Sequence, residues 1–192
     1  MRKIKTIVAA LFVLFLMNSC IIVSLNPCFT KNDVVYRHDF EGVWHDSDDV
    51  TWNITPRQTD KPGKNYMLEM TDKETTSVFV LHIAKLGEYL FLDFFPDVSD
   101  NDPIDNLFLS FHRIPVHSFA LIKFVDDKVF LNIMNEDWFK EEIKNWPDLA
   151  YQEIEGLQVL TAPTQQIQKF LIENADNKKA FIENEIVLSK TE

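Results

Sequence analysis

Apolar and polar side chains alternate with a period of two through much of the chain. In Val50 to Pro56, Trp52 and Ile54 alternate with Thr51, Asn53 and Thr55, the pattern of a strand with one face buried. Glu41 to Asp46 predicts the strand before it, and Tyr66 to Met70 the strand after it, beyond a turn at Lys61-Pro62-Gly63. Thr75 to Lys85 and Glu88 to Phe95 read as a hairpin about Leu86-Gly87, with Phe79, Leu81 and Ile83 on one face of its first arm. A second hairpin runs from His117 to Val125 and returns from Lys128 to Met134 across Asp126-Asp127.

The period then changes. Asn135 is placed to cap a helix with Glu136 and Asp137 in its first turn, Trp138, Phe139, Ile143 and Trp146 on one side, and Pro147 as its stop. Strands are predicted at Ala150 to Ile154 and Leu157 to Thr161. A second amphipathic helix follows from about Thr164 to Ala175, with Ile167, Phe170 and Leu171 inward, and Ile186 to Leu188 predicts a closing strand. Antiparallel strands followed by helices imply a mainly β fold: a closed barrel or strongly curved sheet with two helices late in the chain, the alternative being an α+β arrangement.

The first thirty residues carry a different pattern. Arg2, Lys3 and Lys5 precede an unbroken apolar run from Ile7 to Met17, and Ser19 precedes Cys20, the order of a cleaved secretory signal. Eleven apolar residues fall short of the roughly 20 that span a bilayer core. The alternative, an uncleaved anchor extended through Ile21, Ile22 and Val23, is interrupted by Asn18 and Ser19 and still falls short. The expected organisation is a signal peptide over residues 1–19, a tether over 20–37 and one domain over 38–192.

Composition narrows the function classes. The signal carries three basic and no acidic residues, so its removal takes the net charge from −11 to −14. Nucleic acid is therefore not an expected partner, since phosphate binding needs a basic face. Two cysteines exclude a disulfide framework, and four glycines leave no room for a glycine-rich phosphate loop. Sixteen phenylalanines and four tryptophans predict a large aromatic core.

Leu16-Met17-Asn18-Ser19-Cys20 resembles the bacterial lipobox, which implies acylation of Cys20 and attachment to a lipid bilayer. Ile21 follows, not the aspartate that resembles an inner-membrane retention signal in some bacteria, so the expected address is the outer membrane, facing the periplasm or the cell surface. Gly42-Val43-Trp44 resembles the Gly-x-Trp signature of lipocalins and related calycins. Physically, the glycine lets the backbone bend as a barrel closes and the indole plugs the closed end. That resemblance also implies an arginine late in the barrel stacked on the indole, and the chain has no arginine after Arg113. With Asn26-Pro27-Cys28-Phe29-Thr30 and Pro115-Val116-His117-Ser118-Phe119, the chain resembles a loose set of uncharacterised bacterial lipoproteins that implies no activity.

Candidate chemistry is sparse. His38, His45, His82, His112 and His117 include no helical pair, so no metal site is expected. Asp97, Asp100, Asp102 and Asp105 crowd one loop without the glycine and terminal glutamate of an EF-hand. Neither Gly-x-Ser-x-Gly nor His-Glu-x-x-His occurs. No catalytic residue and no cofactor are assigned. The expectation is a non-enzymatic binding module for an apolar or amphipathic small molecule, with Trp44, Trp52, Phe79 and Phe91 as lining or floor and His117 as a hydrogen-bonded rim residue. Its alternatives are a packed barrel that docks an envelope protein and an enzyme of unknown class. A cavity large enough to enclose a ligand, about 300 Å³ or more, supports the first reading, and a packed interior sinks it.

Overall fold

The computed structural model describes residues 21–57, 64–97, 114–183 and 185–190; the expected signal, Cys20, His112, the Lys61-Pro62-Gly63 turn and three of the four loop aspartates, Asp100, Asp102 and Asp105, lie outside them. Eight antiparallel strands close on themselves. In order around the barrel they are β3 (Gly42–His45), β4 (Thr51–Pro56), β5 (Asn65–Asp72), β6 (Thr75–Leu86), β7 (Tyr89–Pro96), β8 (His117–Val125), β9 (Lys128–Ile133) and β12 (Ile186–Lys190), which returns to β3. Strand ends fall within two residues of the sequence expectation, because the period-two pattern and the turn residues fix them locally. At the Asp126-Asp127 turn, Asp126 takes a φ of +53°, a conformation that aspartate tolerates.

Closure depends on the last strand. β12 pairs with β9 through Leu188 opposite Val129, and with β3 through Lys190 opposite Trp44. Gly42, where β3 begins, has a φ of +123°, which L side chains rarely adopt. The backbone bends there as the barrel needs.

The alternation then sorts side chains into two separate cores. Trp44, Trp52, Ile54, Tyr66, Leu68, Leu81, Ile83, Leu92, Ile122 and Leu131 belong to the inward cluster. Ala84, Leu86, Phe91, Phe119 and Leu121 face outward from β6, β7 and β8 into a second cluster. That outer face is covered by α1 (Glu136–Glu142), by the 3₁₀ turn Ile143–Asn145 and by α2 (Thr164–Asn174). Asn135 caps α1 as expected, its side chain accepting the Trp138 N–H at 3.0 Å. Phe170 lies at the centre of the layer, with Phe139, Trp138 and Trp146 rings around it.

The expected tether is not a tether over the described residues. β1 (Val23–Ser24) pairs with β8 and with β11 (Leu157–Leu160), which forms a hairpin with β10 (Tyr151–Ile154). β2 (Val34–Val35) pairs with β6, and Ile22, Cys28 and Val34 are buried. The segment thus straps the outer face of the barrel through Ile22, Cys28 and Phe29 and then reaches the inward cluster with Val35 and Tyr36. Among the described residues no helix is long and apolar enough to cross a membrane.

Candidate functional site

One end of the barrel is plugged. Phe40 packs edge-on against Tyr66 and Phe124, with centroids 5.3 and 5.6 Å away, and the Trp44 indole N–H donates to its carbonyl at 3.0 Å. The Arg37 guanidinium covers Phe124 at 4.0 Å and pairs with Asp39. Lys190 Nζ lies 4.8 Å over the Trp44 ring. A lysine of the closing strand thus supplies the cation over the indole.

The fourteen buried residues of the inward cluster are each 3% exposed or less. A ligand-sized void would leave its walls accessible, so this part of the barrel is solid. Two clefts bounded by described residues, of about 260 and 140 Å³, lie outside the barrel.

The opposite end differs. Val50, Met70, Phe79, Phe94, Ile133 and Ile186 pack on the inward cluster but keep part of their surface exposed, and all stand near the strand ends on that side. Trp52 lies beneath them, its ring edge-on to Phe94 at 6.1 Å and its N–H directed at Asp46 Oδ2 at 3.2 Å. Phe79 meets Phe94 edge-on at 6.3 Å.

The five expected binding residues therefore separate. Phe79 is at the partly exposed end, Trp52 lies beneath it, and Trp44 is buried near the other end. Phe91 is a correction: it faces the helices, because it alternates with the inward Leu92 and pairs with Ala84 and Leu121 on the outer face. His117 is not on the barrel mouth either.

His117 belongs to a polar cluster that sequence reasoning missed. Its Nδ1 is 2.7 Å from Asp93 Oδ1, and its ring lies against Phe95. Asp93 is fully buried on the outer face of β7, and its Oδ2 accepts the Cys28 N–H at 3.1 Å. Burial pushes the Asp93 carboxyl up, against the opposing effect of these two hydrogen bonds. Burial, reinforced by Asp93, pushes the Cys28 thiol well above its ordinary range. A lone acid within the apolar run Tyr89 to Pro96 was the available signal.

Cysteine, histidine and aspartate together invite a catalytic reading, but the order is wrong for one. In a nucleophilic relay the imidazole stands between thiol and carboxylate. Here the carboxylate stands between the Cys28 backbone and the imidazole, and the thiol is buried and protonated. The arrangement fastens the N-terminal strap. Gln168 Nε2 adds to it, donating to the Cys28 carbonyl at 3.1 Å and to Asp33 Oδ2 at 2.8 Å.

His82, beside Asp93 on β6, stacks on Phe29 at 4.3 Å. Its Nδ1 is buried without a hydrogen-bond partner among the described residues. Burial, then the nearby His117 and Arg57, lower it from 6.5 to about 4. Among the described residues no group of three histidine, cysteine or acidic side chains is arranged to hold a metal ion.

Compared with known protein families, with curated proteins and with solved structures, the chain matches none.

Proposed function

We propose that the protein is an exported, lipid-anchored binding module of the bacterial cell envelope, held to the outer membrane through acylated Cys20, that takes the apolar end of an amphipathic small molecule in its barrel mouth. The observation that carries this reading is the ring of partly exposed apolar side chains, Met70, Phe79, Phe94, Ile133 and Ile186, around one end of an otherwise solid barrel. Such a ring loses hydration when an acyl or aromatic group enters it, at about 25 cal/mol per Å² covered. The plugged far end, with Gly42 at the bend and a cation over Trp44, supports the lipocalin-like part of the reading. The filled interior beneath Trp52 excludes the ligand expected inside the barrel, so this reading keeps only a tip inserted at the mouth.

The packed interior also favours a second reading, a docking module for an envelope protein. Native mass spectrometry of the full chain, extracted from its own membrane, separates the two. The expected result is a co-purified small molecule that Phe79→Asp removes. A stoichiometric protein and no small molecule overturns the mouth as a ligand site. The anchor has its own test: Cys20→Ala is expected to abolish acylation and release the protein from the membrane, and a membrane-bound, unacylated variant refutes lipid attachment.

A further inference from the structure

The larger cleft, of about 260 Å³, lies in the helical layer on the outer face of the barrel. One wall is the segment that ends α1, with Asn145, Trp146 and Asp148; Pro147 and the buried Leu149 belong to the same turn. The turn is fixed by the Trp146 N–H donating to the Ile143 carbonyl at 2.9 Å and the Leu149 N–H to the Trp146 carbonyl at 3.0 Å. The Trp146 ring is set perpendicular to Phe170, centroids 4.9 Å apart, and stays partly exposed. The other wall is α2. Gln166, Lys169 and Glu173 follow one another at spacings of three and four, so they share one helix face, while Ile167, Phe170 and Leu171 face the core.

This set of side chains selects among ligand classes. An anion meets two carboxylates, Asp148 and Glu173. A cation finds the indole and the carboxylates but stands beside the Lys169 ammonium. A wholly apolar ligand covers five polar side chains and pairs none of them. A neutral, hydroxyl-rich ring suits every group: hydroxyls donate to the carboxylates, accept from the ammonium, and do both with the amides of Asn145 and Gln166. The weakly positive C–H face of such a ring suits the negative face of the indole. The volume is below the roughly 300 Å³ of drug-sized sites, which limits the occupant to about one ring. From this cleft we infer a binding site for a neutral saccharide, with one pyranose ring seated on Trp146.

The test is a titration of the full chain in detergent, followed by amide and indole N–H resonances, with the neutral methyl pyranosides of glucose, galactose, mannose and N-acetylglucosamine. Trp146→Phe assigns the indole resonance. The expected result is a saturable shift confined to the Trp146 indole and the side-chain amides of Asn145 and Gln166, with a dissociation constant on the order of 1 mM. Gln166→Ala and Glu173→Gln, on the outer face of α2, each weaken it by about threefold to tenfold, the effect of one lost hydrogen bond. Tighter binding of an oligosaccharide ending in the same ring assigns the ligand to a glycan, and equal binding assigns it to the free sugar. No saturable shift with any of the four, unchanged binding by both α2 variants, or tighter binding of a uronic acid or an alkylammonium ion overturns the inference.

Discussion

Replacing His82 by phenylalanine is expected to stabilise the protein, and to do so more in acid than at neutral pH. The ring lies on Phe29, and a phenyl group keeps that stacking while removing a buried nitrogen that has no hydrogen-bond partner among the described residues. An unpaired buried polar atom costs about 1–3 kcal/mol, so the variant gains about that much at roughly pH 7.5. The acid effect has a separate origin. Burial, with His117 and Arg57 nearby, lowers the folded imidazole from 6.5 to about 4, so the unfolded chain takes up the proton first as the pH falls. Stability from this group is whole above pH 6.5 and is lost progressively on the way down to about pH 4. The full shift corresponds to about 3 kcal/mol, and the exposed part of the ring reduces this to about 2 kcal/mol. Urea denaturation of both proteins at about pH 7.5 and about pH 4.5 measures the difference, and titrations common to the two cancel. If the stability gap fails to widen on acidification, or the variant is the less stable protein at neutral pH, His82 does not carry an unpaired buried nitrogen that costs stability.

Three further outcomes follow from the barrel and its strap. Gly42→Ala forces a Cβ onto a φ of +123° and is expected to cost about 1–3 kcal/mol in chemical denaturation, with no loss if the bend at β3 relaxes freely. Phe40→Ala removes the fully buried plug between Tyr66 and Phe124 and is expected to cost about 3–5 kcal/mol; a cost under about 1 kcal/mol refutes a solid closed end. Cys28, fully buried with its thiol pushed up, is expected to ignore a thiol reagent in the native protein and react on unfolding, and rapid native labelling refutes the strap's attachment.

The barrel strands were legible because each carries its signal locally. Trp52 and Ile54, or Phe79, Leu81 and Ile83, declare a face within a few residues, and turns such as Asp126-Asp127 mark the register. The strap was not legible, since β1 and β2 are two residues each, too short for any period, and their burial is decided by β8, β11 and β6 far along the chain. Its proline and polar residues read as linker while Ile22, Cys28 and Val34 were anchoring it.

The misplacement of Phe91 has a more instructive cause. In β7 the inward residues are Leu90, Leu92 and Phe94, and the outward ones are Phe91, Asp93 and Phe95, so both faces are apolar apart from one acid. A strand covered on both sides reads as a continuous apolar run, and such a run says that a second layer exists without saying which side it covers. The run Phe119 to Ile122 in β8 carries the same message. Asp93 resolves the ambiguity. A carboxylate inside the solid barrel faces only hydrocarbon and aromatic walls, whereas on the outer face it meets the Cys28 N–H and His117. The one polar residue in the strand thus identifies the face on which the N-terminal strap docks, and by parity it sends Phe91 to the helices and Leu92 to the barrel interior.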